Sequence, residues 1–222
     1  MLARDLINID FKPLNPGSSI SSALAKMDAW QSSSIPVVEP ESGLCVGYVL
    51  LDDIAGIADE SIPVSETELR DPIFVIENQH VFEVARTMLQ YEVRLLPAVN
   101  SELIYIGIIE KKHVLEALST MLNIGTVGSV ITIQMFKADF TLTELVHLIE
   151  TEGAKILGLT VEQPDLSDSV IRISIKLSLK DTSAVTSSLQ RHGYITTTEN
   201  RNDIFQMDMT SRADELMRYL DL

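Results

Sequence analysis

The pattern of apolar positions in the first half of the chain occurs twice. A stripe at i, i+3, i+4 and i+7 predicts an amphipathic helix, and this stripe occurs in two places in the same form. The first set is Ile20, Ala23, Leu24 and Met27, and the second set is Val81, Val84, Ala85 and Met88. Because each member of the second set follows its counterpart at one constant offset, we expect two helices with equivalent places in the fold.

Each helical stripe is followed by two short apolar runs that are typical of strands. The first runs are Ile35-Pro36-Val37-Val38 and Leu96-Pro97-Ala98-Val99, and the second are Val46-Gly47-Tyr48-Val49 and Ile106-Gly107-Ile108-Ile109. The two prolines keep the offset of the helical stripes, whereas the two glycines are closer together by a single position, which indicates a deletion in the second hairpin. This common register of helices, prolines and glycines predicts an internal duplication.

The order of these elements resembles the cystathionine-β-synthase (CBS) domain. The features that carry the resemblance are the helix, the strand ending in Pro-Val-Val, the hairpin, the strand Val-Gly-Tyr-Val and the helix at Asp52-Asp53-Ile54. CBS domains occur in tandem and pack as a pseudo-symmetric Bateman module. The resemblance implies one CBS domain at residues 1–62 and a second at 63–124, with ligand clefts between them.

The pattern changes after Gly125. It predicts strands at 130–136, 155–161, 170–179 and 194–198, with helices after Phe140 and after Asp181. The order βαββαβ is that of a ferredoxin-like split βαβ fold, and it resembles an ACT domain at residues 128–200. Residues 201–222 form a tail in which a terminal helix is predicted. The predicted fold class is therefore α+β, a CBS pair followed by an ACT-type domain.

A CBS pair followed by an ACT domain resembles the AcuB-type proteins, which are named for acetoin utilisation. The resemblance implies a regulatory protein with no catalytic domain of its own. It also implies a homodimer, a small-molecule effector and a protein target that the sequence does not name. In a Bateman module the helix predicted at 112–122 often supplies the dimer face, although its stripe fits core packing somewhat better.

Charge narrows the choice of partners. The 222 residues include 17 basic and 32 acidic ones, for a net charge of −15. Phosphate backbones would be repelled, so we expect no nucleic-acid partner, although acidic side chains also serve solubility alone. No apolar run approaches the length of a membrane span, and the start lacks the apolar core of a signal peptide. With Cys45 as the one cysteine, expected to be a buried thiol, these features predict a cytoplasmic protein without a membrane partner.

In nucleotide-binding CBS domains the second strand leads into Gly-x-x-Thr/Ser-x-x-Asp. By this resemblance the Asp accepts ribose hydroxyls and the Thr or Ser contacts phosphate. The first copy keeps Asp53 but has Leu50 in place of the hydroxyl, and the second has Glu110 and His113. Neutral His113 still has a ring nitrogen that accepts a hydrogen bond. Asp53 also fits a simple role at a helix N-terminus, and His113 that of a solvent-facing side chain.

The predicted ligand is therefore an adenine nucleotide or adenosine derivative, with no cofactor assigned beyond it. The candidate cleft residues are Asp53, His113, Glu110, Pro36, Pro97, Leu14 and Val75. Because both motifs are degraded, a second hypothesis stays open. In it, the fold survives as a dimerisation scaffold without a ligand.

The candidate ACT loop is Asp139, Phe140 and Thr141. Amino-acid-binding ACT domains have glycine and proline in this turn, and this chain has neither, so Asp139 also fits a helix cap. Catalysis is not predicted. The four histidines lack metal-ligand spacing, and no phosphate-binding or nucleophile motif is present.

Overall fold

The repeat in the sequence reappears in the computed structural model, which describes residues 1–163 and 169–198. The predicted tail at 201–222 lies outside the described residues. The chain divides into two compact units, Met1–Leu118 and Ser119–Leu222. Each unit is described by itself below.

The first unit holds two sets of elements in the same order. The first set is a 3-10 helix at Ala3–Leu6, α1 at Ile20–Ala29, β1 at Ser34–Val38, β2 at Cys45–Leu50 and α2 at Leu51–Ile54. The second set is a 3-10 helix at Val64–Glu66, β3 at Val75–Ile76, α3 at Val81–Gln90, β4 at Leu95–Val99, β5 at Tyr105–Glu110 and α4 at Lys111–Met121. The 3-10 helix at Val64–Glu66 begins directly after Pro63.

The two hairpins share one register. Val37 lies opposite Gly47 in the antiparallel pair β1–β2, and Ala98 lies opposite Gly107 in β4–β5. In both hairpins a β-bulge follows at the next residue. A bulge adds one unpaired residue and bends the strand, so its occurrence at equivalent places confirms the internal duplication in backbone detail.

The helices α1 and α3 both begin with a side-chain cap. Ser19 Oγ accepts a hydrogen bond from the backbone N–H of Ser22 at 3.2 Å, and Nδ1 of His80 accepts one from Phe82 at 3.3 Å. His80 lies at the equivalent position of the second copy, directly before its helix. It therefore acts as a helix cap.

A left-handed backbone residue occurs at the same place in both hairpins. It is Gly43 (φ +70°) in the first and Leu103 (φ +65°) in the second. Glycine adopts this conformation freely, whereas a side chain with a Cβ is strained there.

We expect Leu103→Gly to raise the free energy of unfolding by about 0.5–1 kcal/mol, because relief of strain exceeds the entropy cost of glycine. Leu103 is exposed, so little packing is lost. Urea denaturation measures the change. The matched control is Leu89→Gly, also an exposed leucine but inside α3, where glycine costs about 1 kcal/mol. A loss of stability at position 103 like that at position 89 would contradict the prediction.

The segment that leads into the first copy packs on the second. The backbone N–H of Ala3 donates to Gln79 O at 2.8 Å, and that of Arg4 donates to Glu77 O at 2.9 Å. Both acceptors lie in the turn that precedes α3. The start of the chain is therefore held by the copy to which it does not belong in sequence.

The segment that leads into the second copy packs in the same way on the first copy. The N–H of Val64 donates to Ser18 O at 2.8 Å, and that of Ser65 donates to Pro16 O at 3.0 Å. Every donor and acceptor here stands at the position equivalent to its counterpart in the first exchange, at the offset that also relates the helical stripes. We call residues 1–12 and 62–73 the two arms. Each arm crosses to the other copy, so neither copy is complete by itself.

Each arm then runs past the glycine of the opposite hairpin. The backbone bridges are Asn8 with Ile108 (2.7 and 3.0 Å) and Arg70 with Tyr48 (2.9 and 3.0 Å). A Cβ at position 47 would lie 2.6 Å from Arg70 O, and one at position 107 would lie 2.8 Å from Asn8 O. The repeated glycines therefore make room for the crossing arms.

The core of the first unit draws on both copies. Phe11, Leu14, Ile20 and Ile35 of the first copy are packed with Leu95 and Ile108 of the second. Cys45 is buried, as predicted, and burial raises the pKa of its thiol to about 11. Such a thiol is protonated near neutral pH and a poor nucleophile.

The second unit follows the order βαββαβ in its described part. Its elements are β6 at Ser129–Phe136, α5 at Leu142–Thr151, β7 at Ile156–Glu162, β8 at Val170–Leu177, α6 at Ser183–Arg191 and β9 at Ile195–Thr198. The described strands form one sheet in the order β7-β8-β6-β9, with antiparallel neighbours. Burial alternates along β8, where Ile171, Ile173, Ile175 and Leu177 are buried. The assignment to the ACT class stays a prediction.

An asparagine takes the position after α4 that a glycine commonly takes at the end of a helix. Asn123, with φ +53°, takes the left-handed position, and the N–H of Ile124 donates to Ser119 O at 3.0 Å. Asparagine tolerates this conformation. Its side chain also donates to Leu157 O at 2.6 Å, which gives Asn123 a second role that glycine lacks.

Candidate functional site

Asp53 lies in the first turn of α2, where β2 delivers it. Its Oδ2 accepts a hydrogen bond from Arg70 Nε at 3.0 Å, and its Oδ1 accepts one from Arg70 Nη2 at 2.7 Å. These hydrogen bonds lower the pKa of the Asp53 carboxyl. The acceptor predicted for ribose hydroxyls is therefore occupied by a guanidinium from the second arm, a partner that sequence reasoning missed.

Glu110 ends β5, where the first copy has Leu50 at the end of β2, and it is only 8% exposed. Its Oε1 accepts from Asn8 Nδ2 at 3.2 Å, and Lys112 Nζ lies 2.9 Å from its Oε2. Burial raises the pKa of Glu110, but hydrogen bonds from Lys112 and Asn8 outweigh it, and the pKa is lowered. Nδ1 of His113 is 3.8 Å from Oε1. The structure thus brings two of the predicted site residues, Glu110 and His113, together.

The four apolar residues predicted for the clefts lie in the core. Leu14 pairs with Val37 beside β1, and Val75 pairs with Ala98 beside β4. Their side chains, and those of Pro36 and Pro97, are buried. These side chains hold the strands together and leave no free surface for a ligand, so a role in binding would fall to their backbone. Their part in a site stays a prediction.

A cavity of about 660 Å³ opens beside Glu110 within the first unit. Side chains from both copies line it, among them Trp30, Arg94, Glu110, Lys111, Lys112 and Leu115. A second cavity of about 500 Å³ adjoins it and shares Gln31 and Arg94. We call the larger one the Trp30 cavity.

The Trp30 cavity combines an aromatic ring with cationic groups. The Trp30 ring is fixed by an edge contact with Phe11 at a centroid distance of 4.8 Å. Arg94 Nη1 donates to Gln31 O at 2.6 Å, which aims the guanidinium at the helix end. Lys112 is engaged by Glu110, whereas Lys111 makes no ion pair within the described residues. Arg94 and Lys111 therefore keep their charge available for an anion.

Sequence reasoning missed the residues of this cavity, although a signal existed. Lys111 and Lys112 stand at the first turn of α4, where positive charge opposes the helix dipole. The chain has 17 basic and 32 acidic residues. Two lysines at that unfavourable position therefore indicate that positive charge is needed there. The sequence gives no comparable signal for Trp30, because a tryptophan at a helix end usually packs in the core.

The three residues of the predicted ACT loop lie in different environments. Asp139 ends a 3-10 turn at Lys137–Asp139 and borders a depression of about 520 Å³, together with Glu144 and Tyr194. Phe140 packs against the core of the second unit. Thr141 is the N-cap residue of α5 but makes no side-chain cap hydrogen bond. The interpretation of Asp139 as the helix cap is therefore wrong, and a ligand role for the loop stays a prediction.

No helix in the described part of the chain is both long and apolar enough to cross a membrane. Across 1–163 and 169–198, no group of three or more His, Cys, Asp or Glu side chains is placed to hold a metal ion.

A family model describes the first unit. The CBS domain model matches residues 3–60 and 64–120, which together make up just over half of the chain. The chain therefore belongs to the CBS domain family. The prediction of tandem CBS domains with mixed α and β content is confirmed, whereas the domain boundaries at 62/63 and 124 stay predictions.

Relatives match the same half. Inosine-5'-monophosphate dehydrogenase of Methanocaldococcus jannaschii is 27% identical over 114 residues, which is 51% of this chain and 23% of that protein. The chain thus spans less than a quarter of the length of the curated relative it matches. A CBS domain pair/ACT domain protein from Thermotoga maritima has a TM-score of 0.50 at 23% identity, covering 55% of this chain and 99% of that one. This likeness shows a shared fold.

Another similar structure contains bound adenosine derivatives. It is a CBS domain pair in complex with 5'-methylthioadenosine and S-adenosyl-L-methionine, with a TM-score of 0.43 and 23% identity. The match covers 54% of this chain and 97% of that one.

Proposed function

We propose that the chain is a non-catalytic regulatory protein that binds an anionic adenosine-type metabolite in the Trp30 cavity. The observation that carries the proposal is the juxtaposition of Trp30, Arg94 and Lys111 around about 660 Å³ in a chain with a net charge of −15. CBS domain pairs generally bind adenosine-containing ligands, and this cavity provides the chemistry that such a ligand needs.

Each part of an adenine nucleotide has a matching group. An indole face stacks on a purine ring. A guanidinium and an ammonium bind phosphate, the first by a planar fork and the second as a point charge. Glu110 would repel phosphate if it stood alone, but Lys112 neutralises it at 2.9 Å. The net charge offered to the ligand is therefore positive.

The regulatory output follows from where these groups lie in the repeat. Trp30 ends the first helix of copy one, whereas Arg94 and Lys111 belong to copy two. A ligand that contacts all three stabilises one relative arrangement of the copies, and binding shifts the population toward it. We propose that this shift is passed on through a homodimer to a protein target in the cytoplasm.

Calorimetric titration of the full chain with AMP tests the proposal. We expect one ligand per chain, and about a 10- to 150-fold loss of affinity in Arg94→Ala and in Lys111→Ala, since a charged hydrogen bond contributes about 1.5–3 kcal/mol. The matched control is Arg86→Ala, an exposed arginine paired with Glu83 on α3, which should bind AMP as the wild type does. Absence of heat and of thermal shift with millimolar AMP, ATP, adenosine and S-adenosylmethionine would refute nucleotide sensing.

A second candidate function is a dimerisation scaffold without a ligand. The observation in its favour is that Arg70 and Asn8 already occupy the acceptors Asp53 and Glu110. The scaffold requires a stable dimer in the absence of any small molecule. Light scattering of ligand-free protein distinguishes the two functions, because a dimer that forms only with AMP excludes the scaffold.

For the second unit we propose an ACT-type ferredoxin-like domain, and for the chain an AcuB-type architecture. Support comes from the described order βαββαβ with the sheet order β7-β8-β6-β9. The Asp139 depression is the place where an effector of that domain would be sought.

A further inference from the structure

Lys176 lies on the face of the second unit's sheet that α5 and α6 leave open. The alternate residues of β8, including Leu177, are buried in the core with those helices, so Lys176 points to the other face. Its side chain is half-buried. Arg172 on the same face is paired with Glu162 at 3.5 Å, whereas Lys176 makes no ion pair within the described residues. Its charge is therefore available to an anion.

A cavity of about 190 Å³ adjoins Lys176. The register of the sheet places Val130 of β6 on one side of Lys176 and Gly158 of β7 on the other. Because glycine has no side chain, it leaves a notch in the sheet surface at this point. The next row of the same face brings together Thr160 and Ser174, whose hydroxyls make no hydrogen bond within the part of the chain that the structure describes.

The segment that follows α4 covers this cavity. Asn123 anchors the segment, because its side chain donates to the carbonyl oxygen of Leu157, the bulged residue of β7, at 2.6 Å. Leu122 and Ile124, on either side of this anchor, line the cavity. A Cβ at position 158 would lie 3.2 Å from Leu122 O, so the glycine also admits the covering segment. Ile124 is 60% exposed, and a bound ligand would bury part of it.

The size and the lining of the cavity define the class of ligand. A volume of about 190 Å³ is below the roughly 300–1,000 Å³ of sites for drug-sized molecules, so the ligand is smaller than a nucleotide. An ammonium and two hydroxyls provide hydrogen-bond donors for a carboxylate, and the apolar side chains cover a short hydrocarbon. None of the described residues that line the cavity is acidic. An α-ammonium group would have no counter-ion there, which favours a simple carboxylic acid over an amino acid.

We propose that this cavity binds a short branched-chain monocarboxylate, with Lys176 on the carboxylate and with Leu122 and Ile124 over the hydrocarbon. All of these residues belong to the second unit, so the site does not depend on the Trp30 cavity or on the proposed function. The bound acid contacts both the sheet and the segment that follows α4. It therefore stabilises the part of the chain that connects the CBS pair to the second unit.

The experiment is a titration of the full, methyl-labelled chain with 3-methylbutanoate at neutral pH and low ionic strength, followed by NMR. We expect the methyl signals of Ile124 to shift with saturation at one acid per chain. The amide of Ile124, which donates to Ser119 O at 3.0 Å, should exchange its hydrogen more slowly with the acid bound. Two matched ligands test the class. Neither 3-methylbutanamide, which lacks the charge, nor valine, which is the same acid with an α-ammonium group, should produce the shift.

Lys176→Gln tests the residue that carries the proposal. It keeps most of the aliphatic stem and should weaken binding of 3-methylbutanoate by about tenfold. This is the lower end of what a charged hydrogen bond contributes, because Lys176 is only half-buried. The control is Lys137→Gln, an exposed lysine just beyond the opposite end of β6 from Val130. It makes the same change in net charge and should bind as the wild type does.

Three results would overturn the inference. They are a wild-type Ile124 signal that does not respond to 3-methylbutanoate, an equal response to the amide or to valine, and a folded Lys176→Gln with wild-type affinity. If Lys176→Gln does not fold, the comparison of the three ligands on the wild type decides. Failure of AMP to bind would refute the proposed function and would leave this titration unaffected.

Discussion

Gly47→Ala is expected to lower the free energy of unfolding of the first unit by about 2–4 kcal/mol, because overpacking costs about 1–3 kcal/mol and broken backbone bonds add to it. A Cβ at this position would lie 2.6 Å from the carbonyl oxygen of Arg70, and that oxygen accepts the N–H of Tyr48. Backbone has no alternative rotamer, so the second arm must move away and give up both bonds of its bridge.

Trp30 is the one tryptophan of the chain and lies in the first unit, so its fluorescence in urea reports the transition. The matched control is Gly125→Ala, where an added Cβ meets nothing within 4 Å and the change should stay within about 0.5 kcal/mol. Gly107→Ala should resemble Gly47→Ala, because Asn8 O would lie 2.8 Å away. Equal stability of the variants at 47 and 125 would refute the crossing of the second arm.

Phe11→Ala is expected to lower the free energy of unfolding by about 3–5 kcal/mol, the usual range for removing a buried phenylalanine side chain. Phe11 is 1% exposed although it belongs to no helix or strand. Its ring meets Trp30 edge-on and packs in the core cluster. Its removal leaves a cavity that Trp30 borders, so AMP affinity should fall together with stability.

Far-UV circular dichroism in urea measures the loss without relying on Trp30, whose environment the substitution changes. The control is Phe82→Ala, where the ring is 56% exposed and the expected loss is below about 1 kcal/mol. A Phe11→Ala protein as stable as Phe82→Ala would mean that the segment before α1 is not part of the core.

The motif in the sequence predicts only part of the candidate site. The spacing from Gly47 to Asp53 and from Gly107 to His113 placed the junctions of strand and helix correctly. It could not supply Arg70 or Asn8, which lie 17 residues after Asp53 and 102 residues before Glu110. Contacts over such separations depend on the path of the arms, and no local pattern encodes that path.

The sequence by itself determined the elements of the first unit and their repetition, because helix stripes, strand runs and the paired glycines are properties of neighbouring residues. It also determined the acidic balance that argues against a phosphate backbone as partner. Only the tertiary structure decided that the arms exchange between the copies, that Asp53 is occupied by Arg70, and that Trp30 meets Arg94 and Lys111 around one cavity. These are contacts between segments far apart in the chain, and packing of the whole unit selects them.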